Sequence, residues 1–193
     1  YLDRLLIPGQ YTLTNGVTRP IIRGYKEEKA SSSLYAFGNI SYKNYLFLEL
    51  TGRNDWSSVF APSLNSYFYP SANLSWVITD MLGTKSKTLS FAKIRASYAE
   101  VGSDTNPYRI EKYYSNSDFN SSVTNPTDLP NYTLRPERTK SYETGLDLRL
   151  HKNKIGIDLT YYLADTYDQI LRVPVDPSSG YYNYFMNAGT VRN

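Results

Sequence analysis

From Tyr45 to Arg53 side chains of two kinds alternate without a break: Leu46, Leu48 and Leu50 share one parity, and Tyr45, Phe47, Glu49, Thr51 and Arg53 the other. A period of two sends successive side chains to opposite faces of a strand, whereas a helix would scatter the three leucines around its circumference. The segment therefore makes a strand with one aliphatic face and one aromatic, charged face. Past a stretch rich in Asn, Ser and Pro the pattern returns, with Phe68, Ala72, Leu74, Trp76 and Ile78 on one parity and Tyr67, Tyr69, Ser71, Asn73 and Ser75 on the other.

The same alternation recurs along the chain. Leu34, Ala36, Gly38 and Ile40 oppose Tyr35, Phe37, Asn39 and Ser41, and Lys43-Asn44 turns that strand into the next. Residues 91 to 101 set Ala92, Ile94, Ala96 and Tyr98 against Lys93, Arg95, Ser97 and Ala99. Residues 141 to 150 set Tyr142, Thr144, Leu146, Leu148 and Leu150 against Glu143, Asp147 and Arg149, before a turn at Lys152-Asn153-Lys154. Residues 155 to 166 align Ile155, Ile157, Leu159, Tyr161 and Leu163 against Asp158, Thr160, Tyr162 and Ala164, and a last, incomplete strand is expected from Tyr182. Residues 1 to 30, with Pro8-Gly9, Asn15-Gly16 and Pro20, read as an extended surface loop, and residues 102 to 136, with Asn106-Pro107, Asn125-Pro126 and Arg135-Pro136, as one long loop.

Connector lengths alternate too: short near residues 43, 84 and 153, long at 54 to 66, 102 to 136 and 167 to 181. Strands of roughly nine to twelve residues, joined alternately by short turns and long loops, fit an antiparallel up-and-down transmembrane β-barrel. About seven strands are too few to close one, so an all-β partial barrel is expected. The chain carries 20 Tyr, concentrated near strand ends and loops, where an amphipathic ring sits at headgroup level. A net charge of +3, scattered along the sequence, does not suit a nucleic-acid binder. With no Cys and one His, His151 at a tight turn, no metal site or cofactor is expected. Asn116, Asp118 and Asn120 imitate a calcium loop only faintly, because Ser121 and Thr127 stand where Gly and Glu belong.

Several segments carry a family resemblance: Thr51-Gly52-Arg53-Asn54-Asp55-Trp56-Ser57-Ser58, Ser66-Tyr67-Phe68-Tyr69-Pro70-Ser71, Ile94-Arg95-Ala96-Ser97-Tyr98 with Val101-Gly102, Leu134-Arg135-Pro136-Glu137 with Tyr142-Glu143-Thr144-Gly145, Asp168-Gln169-Ile170 and Asn187-Ala188-Gly189. In that order they resemble the C-terminal barrel half of the SusC/RagA family. The resemblance implies a TonB-dependent transporter in the outer membrane of a Gram-negative, Bacteroidetes-like bacterium. Its barrel has twenty-two strands around a plug, a SusD-like surface lipoprotein closes over it, and the cargo is a glycan or a peptide. Plug and TonB-contacting parts would lie outside this stretch, residues 1–30 would form an extracellular loop, and 31–193 would supply barrel strands and loops.

The residues most suited to substrate capture are Asn54, Asp55 and Trp56, where a strand is expected to enter a long loop, with Asp104 and Tyr108 next. A ring for stacking beside amide and carboxylate groups suits a sugar or peptide; the competing reading is an interfacial Trp beside an Asn-Asp turn. Glu49, Arg53, Lys93, Arg95, Glu143, Asp147, Arg149 and Asp158 share the polar parity and are expected to line the lumen. Asn39, Asn73, Asn120 and Asn131 match the glycosylation triplet by chance. Two other classes remain open: a soluble carbohydrate-binding β-sandwich, which requires two packed sheets, and an enzyme with Glu49 and Asp158 as an acid–base pair, which requires them roughly 5 to 10 Å apart.

Overall fold

The computed structural model describes residues 4–12, 15–17, 26–83, 86, 88–117 and 122–193. Pro20, Lys87, Asp118, Asn120 and Ser121 lie outside the described residues. In chain order the elements are β1 (Ser31–Tyr42), β2 (Leu46–Ser57), β3 (Ser66–Val77), α1 (Ile78–Leu82), β4 (Leu89–Ser103), β5 (Ser115–Asn116), β6 (Val123–Thr124), β7 (Asp128–Leu129), β8 (Glu137–Leu150), β9 (Ile155–Tyr167), β10 (Ile170–Pro174), β11 (Asn183–Asn187) and β12 (Thr190–Arg192). Two compact units result, Tyr1–Glu28 with Tyr114–Asn125, and Lys29–Tyr113 with Pro126–Asn193.

In the first unit Pro8-Gly9 forms a turn, whereas Asn15-Gly16 enters a bridge. A bridge joins Leu5 to Gly16, and Gly9 takes a left-handed φ of 85°. The buried Asn15 amide accepts from Ile7 N at 2.9 Å and donates to the carbonyls of Ile7 and Gln10. β5 and β6 form a two-stranded antiparallel ribbon.

The second unit contains an open sheet of seven strands in the order β1-β2-β3-β4-β8-β9-β12 and a smaller one in the order β10-β11-β7. In the seven-stranded sheet every neighbouring pair is antiparallel, and among the described residues no Greek-key crossing occurs. Six of these strands have 12 to 15 residues, at least twice the usual soluble length of about five or six, and β12 has three. The short turns require left-handed backbone, which Lys43 and Asn44 adopt between β1 and β2, and His151, Lys152 and Asn153 between β8 and β9.

Register carries the parity of one strand into the next. Leu46 pairs with Trp76, Trp76 with Ile94, Ile94 with Leu146, and Leu146 with Leu159. Leu48, Leu74, Leu148 and Ile157 lie on the same face, while Glu49, Arg95, Glu143, Asp147 and Asp158 occupy the other. The aliphatic face is left bare: Leu50, Leu74 and Ile157 are exposed, and Leu159 is 61% exposed. Among the described residues no second sheet packs on it, so the sandwich arrangement is not formed.

Three expectations need correction. Ile78 does not extend β3 but starts α1, which ends at Gly83 with φ 60°. The last strand of the main sheet is β12; Tyr182 instead leads into β11, which pairs with β10 and, in parallel, with β7. β2 runs on to Ser57, so Asn54, Asp55 and Trp56 belong to a strand rather than to a loop.

The apolar core lies at the long-loop end. Val59, Phe60, Tyr67, Leu134 and Phe185 are buried together, with Tyr69, Ile110 and Ile170 against them. Residues from the β2–β3 loop, the β4–β8 connection and β11 thus close over one end of the sheet.

Candidate functional site

Ladder pairing continues without a break from Leu46↔Trp76 to Trp56↔Ser66. Strand geometry therefore puts Asp55 with Arg53 on the charged face, and Asn54 with Trp56 on the aliphatic one. Burial follows the same alternation: Asp55 and Ser57 are buried, while Trp56 between them is 40% exposed. The three neighbours in sequence thus do not converge. Asn54 spends its amide on Ser66 Oγ, 3.0 Å away across the strand pair.

On the charged face Asp55 is the hub. It accepts from Arg53 Nε at 2.8 Å and from the Tyr69 hydroxyl. Arg53 also donates to Ser33 Oγ at 3.0 Å and lies 6.0 Å from the Tyr69 ring centroid. Tyr69 stacks on Tyr67, and Tyr67 meets Phe60 edge-on. A buried carboxylate that accepts from one guanidinium and one phenol hydroxyl fixes the rings beside it. Next to it a hollow of about 540 Å³ is lined by Tyr35, Phe37, Glu49, Thr51, Arg53 and Tyr69, among others. Aromatic faces, paired hydroxyls (Thr51 and Ser71, 2.6 Å apart) and charges of both signs thus line one concave wall.

Asp104 lies at the end of β4 and accepts from Ser57 Oγ at 3.0 Å and Lys29 Nζ at 2.6 Å. It therefore shares a neighbourhood with Asp55 through Ser57, two residues along β2. Tyr108 takes a left-handed φ of 65° and sets its ring 4.8 Å from that of Tyr113. Burial and the nearby Glu111 carboxylate push the Tyr113 phenol up. Arg109 covers the Phe185 ring at 4.1 Å and donates to buried Thr105; burial lowers its guanidinium from the usual value. Asn131 ties this loop to β11, donating to Phe185 O at 2.9 Å.

The eight charges expected to share a face do so. Arg95 reaches across β8 to Asp158 at 2.9 Å and Thr160 at 3.0 Å, and Arg149 stands 3.9 Å from Asp147. Glu49 on β2 and Asp158 on β9 are four strands apart, about 19 Å at the usual spacing, too far for a carboxylate pair. Among the described residues no group of three or more His, Asp or Glu could hold a metal ion.

What sequence reasoning missed are the groups around the two carboxylates: Tyr67 and Tyr69 beside Asp55, and Ser57 and Lys29 on Asp104. Tyr67 and Tyr69 share the parity of Asp55, which could have pointed to them once β2 was extended through Ser57.

Comparison with known proteins fits this architecture. Residues 4–193 match the family described as "TonB dependent receptor-like, beta-barrel". The chain is 28% identical over 169 residues to the TonB-dependent receptor P26 of Formosa agariphila, covering 84% of this chain and 17% of that receptor. It is 31% identical over 168 residues to the TonB-dependent receptor P39 of the same organism, covering 85% and 16%. The chain thus spans less than a fifth of these relatives' length. In fold it resembles the RagAB peptide transporter, with a TM-score of 0.82, 21% identity and coverage of 96% of this chain and 21% of the other. It also resembles the siderophore receptor PirA from Pseudomonas aeruginosa, with a TM-score of 0.56, 20% identity and coverage of 85% and 29%. A meander of long two-faced strands, with a loop-built core at one end and a family match along nearly its whole length, establishes that this chain belongs to the TonB dependent receptor-like β-barrel family.

Proposed function

We propose that this chain is one section of the wall of a TonB-dependent importer, of the SusC/RagA kind, in the outer membrane of a Gram-negative bacterium. The aliphatic face meets lipid. The face bearing Glu49, Arg53, Lys93, Arg95, Glu143, Asp147, Arg149 and Asp158 lines the lumen. Residues 1–30 form an extracellular loop, and 31–193 supply barrel strands and loops. The parent barrel takes up a glycan or peptide, works with a SusD-like lipoprotein lid, and is energised through TonB.

The register that joins Leu46, Trp76, Ile94, Leu146 and Leu159 into one row is the observation that carries this reading. A continuous row of half-buried to exposed leucines, isoleucine and tryptophan across five strands is tolerable in hydrocarbon and a liability in water. On the other face, Asp55, Arg53, Tyr69, Asp104 and Tyr108 form the substrate-facing wall at the long-loop end. They combine rings with charge and hydroxyls, as an oligomeric polar cargo requires. Trp56, on the lipid-facing parity, serves as an interfacial ring.

Single cysteines in the full-length protein in intact cells test the two faces. A membrane-impermeant maleimide small enough to enter the lumen should label Glu143→Cys, while Leu148→Cys should react only with a lipid-soluble reagent. The reverse pattern would overturn the assignment.

A further inference from the structure

We propose that the lipid-facing side of β4 and β8 carries a binding site for the phosphate-bearing headgroup of an outer-leaflet lipid, built by Arg138 and Lys140 and aligned by Glu100. The proposal rests on the aliphatic face being the one that meets lipid.

On that face, β1, β2 and β3 carry no charge: their residues from Ser32 to Tyr42, Leu46 to Trp56 and Ser66 to Trp76 are apolar, hydroxyl or amide at every position of this parity. On β8 the face runs Leu150, Leu148, Leu146, Thr144, Tyr142 and then Lys140 and Arg138. On β4 it runs Ala92, Ile94, Ala96, Tyr98 and then Glu100, and on β9 Ile155, Ile157, Leu159, Tyr161, Leu163 and then Asp165. Every charge that the seven strands put on this face therefore falls in one place. Glu100 pairs with Lys140, Lys140 with Asp165, and Asp165 with Arg192, while Arg138 stands in the next row. From Leu150 to Tyr142 the strand advances about 26 Å, which a tilt near 40° reduces to roughly 20 Å of bilayer. The cluster thus begins where an apolar band of about 25 Å gives way to headgroups. A charge on the lipid face is costly at mid-bilayer and cheap at that edge.

The cluster is also arranged to receive an anion. The Glu100 carboxylate, 11% exposed, accepts from the Tyr98 hydroxyl and faces Lys140 Nζ at 3.6 Å and Arg138 Nη1 at 3.9 Å. One carboxylate therefore holds two cations side by side and neutralises only one of them. At these distances neither cation makes the 2.7–2.9 Å contact of a full charge-assisted hydrogen bond, and both side chains are 39% exposed. Most of their N–H groups remain open to a further acceptor, Lys140 sharing part of its own with Tyr167 and Glu100. Lys140 Nζ is further fixed 5.2 Å above the Tyr167 ring. Arg192 and Asp165 grip one another through two bonds of 2.6 and 2.9 Å and neutralise each other. Directly below, the Tyr98 and Tyr142 rings lie 5.1 Å apart, an amphipathic shelf of the kind that marks headgroup depth. A ligand that covers both parts joins a phosphate to acyl chains, which selects a lipid over a free anion.

Intact-complex mass spectrometry of the full-length protein in non-ionic detergent tests this, with bisphosphorylated lipid A as probe. The unaltered protein should retain it in preference to the same lipid A after dephosphorylation. The double variant Arg138→Gln with Lys140→Gln should retain roughly tenfold less or lower still. Lys152→Gln, at the opposite end of the strands, should behave as the unaltered protein does. Equal retention of the two lipids, or no difference between the double variant and the unaltered protein, would overturn the proposal. So would inorganic phosphate displacing lipid A at matching concentration, which would mark a general anion site. The comparison of the two lipids needs no variant and stands even if the substitutions impair folding. A protein that stays monodisperse without detergent would refute the lipid-facing assignment itself, whereas a detergent-dependent protein blind to the phosphates refutes only this site.

Discussion

Arg95 crosses β8 directly over Gly145 to reach Asp158 and Thr160 on β9. A Cβ at position 145 would lie 2.8 Å from Arg95 Cγ and closer still to Nε. The glycine is thus a slot for the guanidinium stem, and it leaves Arg95 Nε buried without a partner. Gly145→Ala should push Arg95 off this path and break its link to β9. The exposed ion pair itself is worth at most about 1 kcal/mol, so most of the loss, about 1 to 3 kcal/mol, comes from overpacking. Thermal unfolding of the purified full-length protein, followed by heat-modifiable gel mobility, measures it; an unchanged midpoint would mean that Arg95 has another route.

A second glycine is held open by a ring. A Cβ on Gly102 would stand 2.6 Å from Tyr67 Cδ2, and Tyr67 cannot retreat because Phe60 and Tyr69 pack against it. Gly102→Ala should therefore displace the loop-end core and cost about 1 to 3 kcal/mol. Gly102→Ala combined with Tyr67→Leu should recover part of that loss. Full additivity of the two substitutions in the same unfolding assay would show that they do not act through one contact.

The strands were legible because a period of two is a local signal, and six of them could be read from parity alone. What parity cannot tell is which sheet a short strand joins. Asn183–Asn187 alternates as a barrel strand would, yet it pairs with Ile170–Pro174 over the loop core. The site was obscured by residue type. Asn54 and Asp55 are strong turn formers, which argued for a loop, whereas twelve ladder pairs with β1 and eleven with β3 hold them in β2. Cross-strand register outweighs turn propensity here, and it alone brings Tyr69 to Asp55.

The lipid-facing row yields a paired substitution test. Leu146 sits mid-strand between Ile94 and Leu159, so Leu146→Lys places a charge near the bilayer centre at a cost of about 2–4 kcal/mol. Ser97→Lys, on the opposite face between Asn73 and Glu143, should be tolerated in a hydrated lumen beside a carboxylate. Outer-membrane abundance of the two variants is the measurement. Equal abundance would contradict the inside–outside assignment, because the two lysines differ chiefly in the face they occupy.

Asp55 and Trp56 are adjacent in sequence and opposite in orientation, which separates two accounts of substrate capture. If cargo meets the lumen wall, Asp55→Asn should weaken substrate binding. The change keeps the shape and the capacity to accept from Tyr69, but it removes the charge that fixes Arg53 through a 2.8 Å bond. Trp56→Ala should leave affinity nearly unchanged, since its ring lies on the lipid-facing parity and pairs with Ser32 and Ser66. Had Trp56 been a buried anchor for the ligand, its removal would cost about 1 to 3 kcal/mol of binding. Substrate titration of the full-length transporter, with surface levels verified for both variants, decides between the accounts. A large loss with Trp56→Ala and none with Asp55→Asn would move the capture site to the other face of β2. Loss of Tyr69→Phe from the membrane would instead show that the Asp55 hub serves assembly, because that variant deletes only the hydroxyl that reaches it.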